Sequence, residues 1–129
     1  MGSGIAQAVA LGGYEVRLYD VDANRAPLAL GLIGASLARQ AERGVISAAD
    51  ADAALARIRS VSSLAEIGAA DLIIEAAVED EAVKKAVFLE LAPHLGADTL
   101  LASNTSSISI TRLASVTDRP ERFIGLHFM

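Results

Sequence analysis

The feature that most constrains this chain is an alternation. Stretches with apolar residues four positions apart are separated by short apolar runs, each ending at a polar residue or a glycine. Apolar residues four apart form one stripe of a helix, whereas a short unbroken apolar run suits a strand buried on both faces. Repeated in this order, the two patterns predict an α/β unit built on a mostly parallel sheet with helices on both faces.

The pattern can be followed along the chain. Ile5 with Val9 and Ala6 with Ala10 mark a helix over residues 3–11, closed by Gly12-Gly13. Residues 16–19 read as a strand ending at Asp20. Asp22 is placed to cap a long helix running to about Arg43, with Pro27 in its first turn and Gly44 just beyond its end. Ser47-Ala-Ala-Asp50 and Ser63-Leu-Ala-Glu66 are capping-box patterns that open two shorter helical segments. Residues 58–61, 72–76, 99–102 and 123–127 read as strands. Val83, Val87, Leu91 and Leu95 predict an amphipathic helix ending at Gly96, and residues 108–115 a short helix.

Composition narrows the partners. With 129 residues the chain is one domain, and its apolar fraction of 53% with only 4% aromatics implies a core of Ala, Leu, Ile and Val. A net charge of −5 without a Lys/Arg run argues against nucleic acid and anionic membranes. The absence of cysteine excludes a disulfide framework and a thiolate metal site, and no metal is expected. No apolar stretch approaches the roughly 20 residues of a membrane span, and residues 1–6 lack a signal-peptide pattern. A cytoplasmic protein is the expectation.

Four places could carry chemistry. Gly2 and Gly4 open an apolar helix, and Asp20 follows 18 residues after Gly2. This is close to the spacing at which a dinucleotide fold sets a helix N-terminus against the pyrophosphate and an acid against the adenosine ribose. A plain helix start with a solvated turn aspartate fits the same residues. Glu75, Glu79 and Asp80 follow an apolar run, with Lys84 one turn into the next helix. They read either as a ligand rim at a strand end or as acids complementing a helix dipole. Ser103-Asn104-Thr105-Ser106-Ser107 follows another strand, as a polar site or as a helix cap. His127 sits at the end of the last predicted strand, where an imidazole can act as general base or be structural. His94, near a helix C-terminus, reads as structural.

Taken in order, these blocks resemble the 3-hydroxyacyl-CoA dehydrogenase family, including 3-hydroxybutyryl-CoA dehydrogenases. The resemblance covers nearly the whole chain: Met1-Gly2-Ser3-Gly4-Ile5-Ala6-Gln7, Leu18-Tyr19-Asp20, residues 74–80, Val83-Lys84-Lys85, residues 102–107 and Gly125-Leu126-His127-Phe128. It implies a Rossmann-type, NAD-binding domain that takes part in the oxidation of an L-3-hydroxyacyl-CoA to the 3-ketoacyl-CoA, or the reverse, as in fatty-acid β-oxidation. By the same resemblance Gly2 is the last glycine of the phosphate loop, and Asp20 is the ribose acid that favours NAD over NADP. Glu79 and Lys84 contact NAD near its nicotinamide half, and Asn104 orders the adjoining loop on the cofactor side. Ser36 and Arg43 touch coenzyme A, with Arg43 standing where the family has lysine. Ser106 bonds the substrate's 3-oxygen beside the nicotinamide, and His127 is the catalytic base.

The family pattern also extends beyond both ends of this sequence. It has a strand and a Gly-x-Gly turn ahead of Met1. Past Phe128 it has Phe-Asn-Pro, where Met129 stands here, and then a glutamate that orients the histidine. A helical domain that binds substrate and forms a homodimer follows. The expectation is therefore an incomplete NAD-binding domain over residues 1–129, without its first strand or its C-terminal domain, and inactive by itself. Two other readings stand beside it: a non-catalytic nucleotide-binding module, and a sugar-acid dehydrogenase of the gulonate type.

Overall fold

A computed structural model describes residues 2–128 of the chain, so the motif positions Met1 and Met129 lie outside the described residues. The chain divides into two compact units, residues 1–62 and residues 63–129.

The first unit runs α1 (Gly2–Leu11), β1 (Val16–Leu18), α2 (Arg25–Glu42), α3 (Ala48–Ala56) and β2 (Ile58–Ser60). The two strands pair in parallel, Val16 opposite Ile58 and Leu18 opposite Ser60. A parallel pair needs a crossover, and α2 with α3 supplies it. The core joins Ala6, Ala10, Ile33, Leu37, Ala51, Ala54 and Ile58. Four of these seven are alanines, so helix backbones can approach closely where the composition offers few large side chains. α1 stops at Gly13, which takes a φ of +97°, and α2 at Gly44, with a φ of +72°. Both conformations favour glycine because a Cβ there is strained.

One start differs from expectation. Asp22 does not cap α2. Its Oδ1 accepts the backbone N–H of Asn24 at 3.0 Å, and Asp20 Oδ1 accepts that of Asp22 at 2.9 Å. These two successive side-chain turns carry the chain around, and the helix begins later, after Asn24. Ser47 caps α3 as expected, accepting the Asp50 N–H at 3.0 Å.

The second unit runs β3 (Leu72–Glu75), α4 (Glu81–Leu91), β4 (Leu100–Ser103), α5 (Ile110–Ala114) and β5 (Phe123–Gly125), with single 3₁₀ turns at Leu64–Glu66, Ala92–His94 and Pro120–Arg122. Its sheet has the order β3-β4-β5 and is parallel throughout. The Ser63/Glu66 capping box is present. Gly68 is required by space, because a Cβ there would lie 2.1 Å from the carbonyl oxygen of His94. Phe88 of α4 meets Phe123 of β5 edge to face, with ring centroids 4.9 Å apart.

The buried stripe of α4 is Lys84, Phe88 and Leu91. The predicted stripe began at Val83, which is 40% exposed. The helix face is thus turned by one residue, toward a position that holds a lysine. β5 also ends at Gly125 rather than reaching His127. No helix among the described residues is long and apolar enough to cross a membrane.

Candidate functional site

In the second unit three strands end level with one another. Glu75, Ser103 and Gly125 occupy one row of the register, so the segments that follow β3, β4 and β5 leave from a single edge. These are the carboxyl ends of parallel strands, where open α/β sheets gather their ligands. The edge therefore carries residues 76–84, the Asn104–Ser107 loop and His127 together.

A buried ion pair anchors it. Glu75 ends the apolar run of β3 with a charge that needs a partner, and Lys84 supplies it: Nζ lies 2.7 Å from Oε2, with both side chains at most 2% exposed. The ammonium also donates to the Ala77 carbonyl at 3.1 Å and lies 3.4 Å from Glu79 Oε1. A buried lysine with three acceptors around its three donors is satisfied. Glu75 in turn accepts the Ala77 N–H at 2.6 Å and the Ser103 hydroxyl. Lys84 is directed into the unit rather than out of it.

Glu79 is the hub of the loop after β4. Its carboxylate accepts the Ser106 N–H at 3.0 Å, the Thr105 hydroxyl at 2.9 Å, the Ser107 hydroxyl at 3.0 Å and the Ser106 hydroxyl at 3.2 Å. These donors hold its pKa down at about 2. The Ser106 N–H contributes most, desolvation opposes it, and the Thr105 and Ser107 hydroxyls and Lys84 add to it. The run of small hydroxyl residues is thus folded around one carboxylate, with Ser106 exposed at its tip.

Asn104 is joined to the backbone next to His127. The Asn104 N–H donates to the Glu75 carbonyl at 2.9 Å, and its Oδ1 accepts the Phe128 N–H at 2.7 Å. The Leu126 N–H donates to the Ser103 carbonyl at 2.9 Å. His127 falls between these two anchored amides, with an exposed side chain. The structure therefore brings Glu79, Lys84, Asn104, Ser106 and His127 to one strand edge.

The other candidate residues belong to the first unit. Gly2 is the first residue of α1, whose opening turn contains no acid to occupy its N–H groups. A Cβ built on Gly2 would meet nothing within 4 Å. Asp20 follows β1 half-buried, with one carboxylate oxygen on the Asp22 N–H. Ser36 lies within α2 and Arg43 is its C-cap. Seven residues are about two helical turns, so the two lie on the same side of the helix. His94 sits in the turn after α4. Among the described residues no group of three or more His, Asp or Glu is arranged to hold a metal.

The sequence places Ser103 and Thr105 in the candidate polar run but does not show that they are buried on Glu75 and Glu79, nor that Glu75 pairs with Lys84. The available signal was a glutamate closing the otherwise apolar run Leu72-Ile73-Ile74, since a charge in a strand buried on both faces must be paired.

Comparison with known proteins adds to this geometry. The family profile described as "3-hydroxyacyl-CoA dehydrogenase, NAD binding domain" matches residues 1–129. A 3-hydroxybutyryl-CoA dehydrogenase of Bradyrhizobium diazoefficiens is 49% identical over the whole chain, which covers 44% of that protein. A probable 3-hydroxybutyryl-CoA dehydrogenase of Bacillus subtilis is 44% identical over the whole chain, which covers 45% of it. The crystal structure of a 3-hydroxybutyryl-CoA dehydrogenase from Escherichia coli K12 superposes with a TM-score of 0.95 at 44% identity, covering all of this chain and 27% of that one. The Rossmann-type architecture expected from the sequence is therefore shared across the full chain. The chain spans less than half the length of these relatives.

Proposed function

The chain belongs to the family of NAD-binding domains of 3-hydroxyacyl-CoA dehydrogenases, and from that premise we propose that it holds the cofactor and supplies the base for oxidation of an L-3-hydroxyacyl-CoA to the 3-ketoacyl-CoA. The observation that carries this reading is the level ending of β3, β4 and β5. That edge delivers a carboxylate, a hydroxyl-rich loop and an imidazole together.

The residues present fit NAD. The acid-free first turn of α1, opened by Gly2, offers the N–H groups of a helix start to a pyrophosphate. Asp20 has a carboxylate oxygen left for the adenosine ribose hydroxyls, and its charge disfavours a 2′-phosphate. In the second unit Glu79 accepts from a ribose hydroxyl of the nicotinamide half, and Lys84 supports it by fixing that carboxylate from within. Asn104 and Ser106 border the same place. Ser36 and Arg43 offer a hydroxyl and a guanidinium to the phosphates of coenzyme A.

NAD, when bound, would supply the acceptor for the hydride that leaves C3 of the substrate. His127 takes the proton of the 3-hydroxyl as the C3 carbonyl forms, and releases it afterwards; in reverse its imidazolium returns the proton. Ser106 donates a hydrogen bond to the 3-oxygen by turning its one hydroxyl proton away from Glu79. A positioned base contributes roughly 10²–10⁴-fold, and orientation of the two reactants can supply about 7–11 kcal/mol of the barrier.

The test is NADH binding to this chain, followed by NADH oxidation with acetoacetyl-CoA and with a keto-gulonate. Binding with acetoacetyl-CoA turnover in the protein that carries this chain supports the reading. Binding without any turnover indicates a nucleotide-binding module, and turnover of the keto-gulonate alone indicates the sugar-acid class.

A further inference from the structure

We propose that Asn104 is a positioning residue for His127, its side chain standing in for a strand carbonyl at the point where β4 ends. The proposal rests on the reading of His127 as the base, and the hydrogen bonds that carry it are independent of that reading. A parallel ladder draws an N–H of one strand onto a carbonyl of its neighbour at every second residue. The chain just past β5 does so at Leu126, which donates to the Ser103 carbonyl at 2.9 Å. The next rung falls at Phe128, but β4 has already turned away. Its continuation is folded around Glu79 by way of Thr105, Ser106 and Ser107. The acceptor at that rung is Asn104 Oδ1, 2.7 Å from the Phe128 nitrogen.

One side chain thus extends the ladder by one rung past the last residue of either strand. Asn104 is itself fixed, since its N–H is on the Glu75 carbonyl at 2.9 Å and Ser103 beside it is hydrogen-bonded to the Glu75 carboxylate. The backbone on both sides of His127 is therefore tied to the ends of β3 and β4, and the imidazole projects from a segment held at two points instead of a frayed strand end.

The orientation of the carboxamide has a second consequence. With one lone pair of Oδ1 taken by the Phe128 N–H, the NH₂ group of Asn104 is what it offers to a ligand acceptor. The two duties can be separated by substitution. Asn104→Asp keeps an oxygen for the Phe128 N–H and loses the donor. Asn104→Ala loses both.

The experiment is amide hydrogen exchange and ¹⁵N relaxation on this chain as the wild type, Asn104→Asp and Asn104→Ala. The Phe128 amide is expected to exchange about tenfold faster in Asn104→Ala and within about threefold of wild type in Asn104→Asp, and the His127 backbone order parameter should fall only in the alanine variant. Equal exchange in wild type and alanine variant would overturn the proposal. So would an aspartate variant as fast as alanine, or faster exchange spread evenly over β4 and β5, which marks a general loss of stability. NADH titration of the same proteins reports separately: a wild type that does not bind NADH defeats the functional reading, while the Phe128 exchange still decides the role of Asn104.

Discussion

The two units present their functional groups in different ways. In residues 1–62 the groups are placed by secondary structure alone: Gly2 by the start of α1, Asp20 by the end of β1, Ser36 and Arg43 by their spacing on α2. Asp20 is held within its own turn, by the Asp22 N–H on its carboxylate at 2.9 Å. In residues 63–129 the two charged groups are held by residues from distant positions, Glu79 by three residues 26 to 28 positions away and Lys84 by Glu75 across nine. The lesson is that a group set at a helix or strand end can be exchanged with little effect on stability. A group inside a side-chain network carries both stability and function.

The largest effect that separates the units is expected at Lys84. Lys84→Met removes the cation from a pair whose side chains are at most 2% exposed and leaves Glu75 charged and unpaired. Urea unfolding should show a loss of about 3–5 kcal/mol. The double variant Glu75→Gln with Lys84→Met should recover much of that loss, since no buried charge then remains. A loss below about 1 kcal/mol in Lys84→Met would show that the pair is open to water, contrary to its burial.

Asp20→Ala is the counterpart in the first unit. It should weaken NADH binding by roughly tenfold or more, in line with the loss of charge-assisted hydrogen bonds worth about 1.5–3 kcal/mol. Its unfolding free energy should stay within about 0.5–1 kcal/mol of wild type, because only a turn contact is lost. Unchanged NADH affinity would break the comparison on this side.

The smallest and most specific effect concerns acid. The Glu79 carboxyl has a pKa of about 2 in the folded chain against an ordinary 4.5. Its contribution is therefore fully present above about pH 4.5 and disappears as the pH falls toward 2. Glu79→Gln should flatten the decline of the urea midpoint across that window relative to wild type. Parallel declines in the two proteins would mean that the loop donors do not hold the carboxylate.

The same contrast explains what could be read from the sequence. The helix read over residues 3–11, the strands ending near Asp20, Glu75 and Ser103, and the glycine stops at Gly13 and Gly44 follow from local rules, and the structure has them, the helix starting one residue earlier at Gly2. Asp22 was misread as a helix cap because the same side chain can serve a turn two residues on. The α4 stripe was misplaced because apolarity alone selects Val83 over Lys84. Only the tertiary partner Glu75 makes the lysine the inward residue. The wrapping of Thr105, Ser106 and Ser107 around Glu79 has no local signature, since it joins residues from the ends of two different strands.

The most direct test of the account is ¹⁵N–¹H mapping of this chain during titration with NADH. Saturable shifts are predicted at the first turn of α1 and at Asp20, and also at Glu79 and Ser106 beyond β3 and β4. A titration without shifts at any of these positions, or with shifts confined to other surfaces, would contradict it.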